Sequence, residues 1–209
     1  MQEIQIITDS SYFDTNLINS KVTAVGASII RFKKTNDQIF SSTFYSRKYI
    51  FLLEAENSTQ AELLTGIQAL KTISKDYNFL TFSEIKDTNS KKILNPPIIR
   101  WFCDVPYLPA LIKQSSDNVD DPEHSLINTI NIIKSLSEGF SLKIFTPDTS
   151  NEKKYHYLCH RACRMLRPVI LKSSDSDFDS VLFKKNMSKE VEIFLKHKKS
   201  DWELITAEP

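Results

Sequence analysis

The chain has 209 residues, a formal net charge of +1 and 41% hydrophobic residues, which is typical of a soluble globular protein. This length suits one domain with additions or two small domains, and it is enough to bury a hydrophobic core. No apolar run is long enough to cross a membrane, the N-terminus does not have the pattern of a signal peptide, and the near-neutral charge gives no global argument for nucleic-acid binding. We therefore expect a cytoplasmic protein without a membrane partner.

The first third of the sequence predicts three strands and a helix. Residues 3–8 have an apolar bias with alternation and predict a strand. Residues 22–33 and 39–49 are rich in β-branched and aromatic residues, and the turn cluster between them predicts an antiparallel hairpin. Apolar residues then recur at helical spacing, after Ser58 or Thr59 as candidate N-caps.

The middle of the sequence predicts two more strands and two long helices. A compact apolar run at 98–104 predicts a strand that ends in an acid, and 140–148 predicts another strand. Residues 125–139 carry an apolar stripe and predict a helix. A basic amphipathic helix is predicted at 152–167, and Pro168 is expected to end it.

Two segments fall outside this regular order. Residues 77–97 are mixed in composition and predict an insertion. Residues 169–209 predict a C-terminal extension with a strand-like segment, "VLFKK", and a charged helix. The remaining elements give a hairpin followed by crossovers, which predicts an α/β fold with a mixed sheet and helices on its faces.

Three acidic residues stand out by position. Asp9 ends the first predicted strand, Asp104 ends the fourth, and Glu62 lies in the first two turns of the helix. If these strands are parallel neighbours, both aspartates emerge at one edge of the sheet, and a helix packed across it can aim Glu62 between them. Converging carboxylates repel each other unless divalent cations lie among them, and oxygen ligands suit Mg²⁺ or Mn²⁺. Singly, each acid is better explained as a turn, cap or helix-dipole residue, but the ordered trio indicates a metal site.

Five segments resemble the type 1 ribonuclease H family. In chain order they are "IQIITDSS", "VGASII", "STQAELLTGIQAL", "IIRWFCDVPYL" and "CHRACRML", and the helix segment "TQAELLTGIQAL" is the most specific. The resemblance spans residues 3–167. It implies a ribonuclease H-like mixed five-stranded sheet, with antiparallel strands 1–3 followed by parallel strands 4 and 5. The implied domain covers residues 1–168, and the extension at 169–209 follows it.

The resemblance also implies an activity. The family consists of metal-dependent endonucleases that cleave the RNA strand of RNA–DNA hybrids, so Mg²⁺ or Mn²⁺ is the expected cofactor. Asp9, Glu62 and Asp104 fall on the family's first three metal-binding acids, and His160 falls on its fourth acidic position. All four are therefore candidate catalytic residues. Because histidine adds no negative charge, a second cation is expected to bind more weakly.

Polar and basic residues near these positions are candidates for nucleic-acid contacts. The resemblance implies that Gln60 and Asn57 contact the minor groove and the 2′-hydroxyls of the hybrid. Ser10 replaces the glycine that is usual in the family at the turn approached by the nucleic-acid backbone. Arg161 and Arg164 belong to the predicted basic helix, for which phosphate binding and a solvated face are equally good interpretations.

The same helix concentrates histidines and cysteines. His156, Cys159, His160 and Cys163 recur at i, i+3, i+4 and i+7, and such residues can ligate zinc. Four ligands from about two helical turns cannot close a tetrahedron unaided, so we favour core packing and retain only His160 as a site residue. With Cys103 the chain has an odd number of cysteines, which predicts free thiols in a reducing compartment.

Three functions from different classes agree with these features. The first is a hybrid-directed ribonuclease, and the second is a catalytically weak or inactive module on the same fold that binds nucleic acid or a protein. The third is a structural subunit of a larger assembly, whose contacts would come from 77–97, an acidic loop at 115–124 and the extension at 169–209. The extension is also the segment through which a protein partner would bind.

Overall fold

A computed structural model describes six strands and four helices within residues 3–13, 22–35, 42–76, 98–108, 110, 124–137, 140–173 and 180–205. The strands are β1 (Glu3–Tyr12), β2 (Ala24–Thr35), β3 (Ser42–Leu53), β4 (Ile98–Phe102), β5 (Ser141–Phe145) and β6 (Trp202–Ile205). The helices are α1 (Ser58–Asp76), α2 (His124–Leu136), α3 (Ser150–Ser173) and α4 (Ser180–His197). The predicted insertion at 77–97 lies outside the described residues, as does nearly all of the acidic loop at 115–124.

The six strands form one mixed sheet in the order β5-β4-β1-β2-β3-β6. β1, β2 and β3 pair antiparallel, β4 pairs parallel with β1, and β5 pairs parallel with β4. This arrangement confirms the predicted mixed sheet. The sixth strand was not predicted: β6 comes from the C-terminal extension and pairs parallel with β3, so it covers an edge that β3 would otherwise expose.

β1 is longer than predicted, and this changes the position of Asp9. The parallel pairing with β4 ends at the pair Ile7 and Phe102, whereas the antiparallel pairing with β2 continues to the pair Tyr12 and Ala24. The prediction that the first strand ends at Asp9 is therefore wrong. The strand continues because β2 still supplies hydrogen-bond partners on one side after β4 has ended on the other.

Both faces of the sheet are covered by helices. Ile4 and Ile6 of β1 pack in a core with residues of α1 and α2, whereas Ile7 packs on the opposite face with residues of α3 and α4. The first core surrounds Trp101, whose indole Nε1 donates a 2.8 Å hydrogen bond to Oγ1 of Thr8. Burial on both faces explains why Ile6 and Ile7, which are adjacent and point to opposite faces, are both apolar.

α3 does not end where the sequence predicts. It passes through Pro168 to Ser173, although proline removes a backbone donor from the helix interior. Pro168 itself is exposed, whereas Leu166 and Ile170 on either side of it are fully buried against the sheet. Tertiary packing therefore holds the helix together past the proline, and the predicted domain boundary at 168/169 falls inside this helix.

The C-terminal extension packs on the same face as α3. Met187, Val191 and Leu195 of α4 are buried in the core that contains Ile7. The segment "VLFKK", predicted to be strand-like, belongs to α4 instead, because α4 begins at Ser180. Within the described part of the chain, no helix combines the length and the apolar composition that a membrane span requires.

Candidate metal centre

Asp9 and Asp104 come together where β4 leaves the sheet. Each acid follows by two positions a member of the last pair between the two parallel strands, Ile7 and Phe102. Residues two apart in a strand point to the same face, so Asp9 faces the side covered by α3. Asp9 is almost fully buried, whereas Asp104 is exposed to solvent. The site therefore lies at the protein surface, with Asp9 on its buried side.

His156 of α3 joins these two acids. One ligand atom each from Asp9, Asp104 and His156 lie within 4.8 Å of one another. Nε2 of His156 is 3.5 Å from Oδ1 of Asp9, and this buried nitrogen has no hydrogen-bond partner in the described part of the chain. Sequence reasoning missed this residue by assigning it to core packing, and the signal that could have found it is its i, i+4 spacing from His160.

His160 contacts the same aspartate from the next turn of α3. Its Nδ1 lies 3.2 Å from Oδ2 of Asp9, and 46% of its side chain is exposed. The two histidines thus face the two oxygens of one carboxylate. His160 closes the solvent side of this contact, whereas His156 lies on the buried side.

Glu62 reaches the site from α1 on the other side of the sheet. Its Oε1 accepts a 2.6 Å hydrogen bond from the backbone amide of Ser10, and its buried Oε2 has no hydrogen-bond partner among the residues that the structure describes. Burial raises the pKa of Glu62 to about 8, and the negative charges of Asp9 and Asp104 add to the rise, which the hydrogen bonds from Ser10 oppose. Glu62 thus lies close enough to Asp9 and Asp104 for their charges to act on it, but the group of ligand atoms within 4.8 Å of one another consists of Asp9, Asp104 and His156 and does not include Glu62.

The surroundings of Asp9 and His156 also disfavour the charged forms of these two side chains. Burial, assisted by the charge of Asp104, raises the pKa of Asp9 to about 7. Burial lowers the pKa of His156, and nearby His160 acts in the same direction while Asp104 opposes it. The cluster thus joins two carboxyl groups to one imidazole, and burial disfavours the charged forms of Asp9 and His156.

This donor set fits a divalent cation. Carboxylate oxygens bind Mg²⁺ and Mn²⁺, and imidazole nitrogen binds transition metals. Among the residues that the structure describes, Oε2 of Glu62 and Nε2 of His156 are buried without a hydrogen-bond partner, although such atoms are costly. A cation among Asp9, Asp104 and His156 would satisfy the imidazole nitrogen and offset the repulsion between the two aspartates.

Asn57 and Gln60 cap the first turn of α1. Oδ1 of Asn57 accepts a 2.9 Å hydrogen bond from the backbone amide of Gln60, and Oε1 of Gln60 accepts one of 2.5 Å from the amide of Glu56. Asn57, rather than Ser58 or Thr59, is therefore the N-cap. The contact of Asn57 and of the buried Gln60 with nucleic acid remains a prediction.

The remaining candidate residues for nucleic acid lie around the site. Arg161 and Arg164 are exposed on α3, and Arg161 directly follows His160. Ser10 is half-buried and its amide is engaged by Glu62. Their contact with nucleic acid likewise remains a prediction.

The cysteines of α3 belong to the core rather than to the site. Sγ of Cys159 lies 3.5 Å from the carbonyl oxygen of Ile7, and Sγ of Cys163 lies 3.4 Å from that of Asp9. Both thiols are free and buried, as is Cys103, and burial raises the pKa of each. These contacts hold α3 close against β1, which brings the preceding histidines to the carboxylate.

No protein-family model and no curated protein sequence matches the chain. Among solved structures, LC9-RNase H1, a type 1 RNase H with the type 2 active-site motif, matches with a TM-score of 0.50 and 9% identity over 78% of this chain and 72% of that one. RNase H1 from the halophilic archaeon Halobacterium salinarum NRC-1 matches with a TM-score of 0.44 and 12% identity over 78% of this chain and 98% of that one. The likeness to LC9-RNase H1 shows the fold, and the chain therefore has the α/β fold of type 1 ribonuclease H.

Proposed function

We propose that the chain is a metal-dependent endoribonuclease that cleaves the RNA strand of RNA–DNA hybrids by two-metal phosphodiester hydrolysis. The observation that carries the proposal is the meeting of Asp9 and Asp104 just beyond the last pair of the parallel strands β1 and β4, in a sheet with the ribonuclease H fold, with Glu62 of α1 hydrogen-bonded to the residue after Asp9. Fold alone does not fix function, so the argument depends on this site.

The three acids are the proposed ligands of Mg²⁺ or Mn²⁺. Bound cations of this kind activate water and stabilise the leaving oxygen of a phosphodiester. The chain's own contribution is to fix the ligands: the amide of Ser10 orients Glu62, and Nδ1 of His160 orients Asp9. His160 takes the fourth acidic position of the family, and because it adds no negative charge a second cation would bind more weakly.

The proposed nucleic-acid surface surrounds this edge of the sheet. Arg161 and Arg164 are exposed on the helix that carries His160, where they can neutralise phosphates. Ser10, Asn57 and Gln60 lie at the strand and helix ends next to Glu62, where side chains can contact the groove of a hybrid. Such contacts would carry the scissile phosphate of the RNA strand to the acids.

The test is cleavage of a hybrid labelled on its RNA strand, in Mg²⁺ and in Mn²⁺. We expect the wild type to cut the RNA strand and Asp9→Asn or Glu62→Gln to lower the rate at least about 100-fold, because each removes charge at the cation site. Glu203→Gln is the matched control, since this exposed acid lies on β6 at the opposite edge of the sheet from β5 and β4. Binding of the hybrid without cutting by the wild type in either cation would overturn the proposal in favour of a non-catalytic binding module.

A further inference from the structure

His156 is placed like a ligand rather than like a core residue. Its side chain is 19% exposed, and Nε2 points toward Asp9 on the buried side of the site. A buried imidazole nitrogen normally donates or accepts a hydrogen bond, yet Nε2 has no such partner within the described ranges. Oδ1 of Asp9 lies 3.5 Å from it, beyond the distance of a good hydrogen bond.

That spacing suits two ligands of a common cation. Bonds from a divalent cation to nitrogen or oxygen are about 2.0–2.2 Å long, so two ligand atoms of one ion can lie up to about 4.4 Å apart. The ligand atoms of Asp9, Asp104 and His156 fall within 4.8 Å of one another, which small side-chain movements bring into that range. Glu62, which is hydrogen-bonded to the residue after Asp9 and more than nine-tenths buried, has in Oε2 a second buried atom without a hydrogen-bond partner among the described residues.

We propose that Nε2 of His156 is a direct ligand of the cation and that this nitrogen makes the site prefer a first-row transition cation to Mg²⁺. The inference rests on the cation site of the proposed function and not on hydrolysis itself. Mg²⁺ is a hard ion that binds oxygen, whereas imidazole binds transition metals well. The oxygen donors of the site can bind both Mg²⁺ and transition cations, whereas the imidazole nitrogen favours the transition cations.

The neighbouring His160 has a different role. Its Nδ1 is engaged by Oδ2 of Asp9 at 3.2 Å, and nearly half of the side chain is in contact with solvent. A histidine that donates to a ligating carboxylate fixes the orientation of that carboxylate. His160 is thus a positioning residue. The two histidines lie on the same face of α3, but Nδ1 of His160 is already hydrogen-bonded to Asp9, whereas Nε2 of His156 has no hydrogen-bond partner among the described residues.

The test uses Mn²⁺ as the probe and the full chain without nucleic acid. Pulsed electron paramagnetic resonance of bound Mn²⁺ detects a directly coordinated nitrogen. We expect nitrogen coupling in the wild type and in His160→Phe, and its loss in His156→Phe. Titration should show Mn²⁺ affinity falling about 10- to 100-fold in His156→Phe, with Mg²⁺ affinity changing less than about threefold.

Absence of nitrogen coupling in Mn²⁺-loaded wild type would overturn the inference, and this measurement does not depend on any variant folding. Coupling that survives in His156→Phe and disappears in His160→Phe would overturn it equally. A chain that binds Mn²⁺ through nitrogen but leaves hybrids intact would remove the nuclease proposal and keep this one. Cleavage in Mg²⁺ without nitrogen coupling in Mn²⁺ would do the reverse.

Discussion

The backbone amide of Ser10 donates a 2.6 Å hydrogen bond to Oε1 of Glu62, and this bond ties β1 to α1 across 52 residues of sequence. It fixes one carboxylate oxygen, whereas the other, Oε2, is buried without a hydrogen-bond partner among the described residues. The carboxyl group is thereby oriented before any cation binds, as a preorganised ligand should be. The cost is a carboxylate whose charged form is disfavoured by its surroundings.

The raised pKa values predict that the metal-free protein loses stability as the pH rises. Glu62 titrates near 8 in the folded chain against an ordinary value of 4.5, and Asp9 near 7 against 3.8. Between those values the folded state holds protons that the unfolded state has released, so the stabilisation is complete below about pH 4 and is lost as the pH passes through 7–8. Urea unfolding in a chelating buffer at pH 5 and pH 8 measures this.

The variant Glu62→Gln isolates the contribution of one group. The neutral amide removes the titration, so the loss of unfolding free energy between pH 5 and pH 8 should be smaller than in the wild type by on the order of 2 kcal/mol. Glu203→Gln, at an exposed position on β6, should keep the wild-type slope. Identical slopes for Glu62→Gln and the wild type would mean that Glu62 is not perturbed in the folded protein.

The N-cap of α1 gives a second prediction. Asn57→Ala should lower the free energy of unfolding by about 1 kcal/mol, because Oδ1 of Asn57 accepts from the amide of Gln60. Ser58→Ala should change it by less than about 0.5 kcal/mol, since Ser58 is an exposed residue that already lies in the helix. Urea denaturation of the two variants measures both values, and an equal or larger effect at Ser58 would move the cap to that residue.

Gly66 gives a third prediction, which concerns whether Gly66→Ala raises or lowers the free energy of unfolding. In an unobstructed helix, Gly66→Ala would stabilise by up to about 1 kcal/mol. Here a Cβ would lie 2.0–2.7 Å from three ring atoms of Trp101, which is fully buried and hydrogen-bonded to Thr8. The ring cannot move without breaking that bond, so we expect a loss of about 1–3 kcal/mol in the free energy of unfolding.

Lys71→Ala, at an exposed position of the same helix, is the control for Gly66. It should change the free energy of unfolding by less than about 0.5 kcal/mol. A stabilised Gly66→Ala variant would show that Trp101 packs elsewhere.

The sheet and the acids were accessible from sequence because their signals are local. Alternating or continuous apolar runs predict the strands, and the helix "TQAELLTGIQAL" carries Glu62 at a fixed place within its first turns. Asp9 and Asp104 each follow an apolar segment, and these two segments pair with each other as the parallel strands β1 and β4. Those patterns fix which residues share an edge of the sheet once the two strands are parallel neighbours.

The role of His156 was not accessible in the same way. His156, His160, Cys159 and Cys163 share one helical face, and sequence spacing does not say which part of that face meets the core. The position of α3 along β1 decides it: the cysteines lie against backbone carbonyls of β1, and the histidines one turn earlier reach the carboxylate of Asp9.

β6 was also missed, for a different reason. It has only four residues, and its strand character depends on pairing with β3. Lys48 of β3 forms an ion pair with Asp201 and a cation–π contact with Trp202, and both contacts join β3 to the start of β6. They link residues that are far apart in the sequence, so local patterns do not reveal them. A strand this short gives too few positions for alternation to be recognised.

The packing of the extension gives a fourth prediction. Leu195 of α4 is 4% exposed in the core on the α3 face, whereas Ile193, two residues away, is 57% exposed. Leu195→Ala should lower the free energy of unfolding by about 2–5 kcal/mol, because it leaves a cavity, and Ile193→Ala should change it by less than about 0.5 kcal/mol. Because Trp202 lies in β6 of the extension, the measurement uses a Trp202→Phe background, in which fluorescence reports the buried Trp101. If the extension unfolded independently of the sheet, Leu195→Ala would leave the main transition at the midpoint of that parent. A single shifted transition would show instead that residues 180–205 and the sheet unfold together, with β6 completing the edge beside β3.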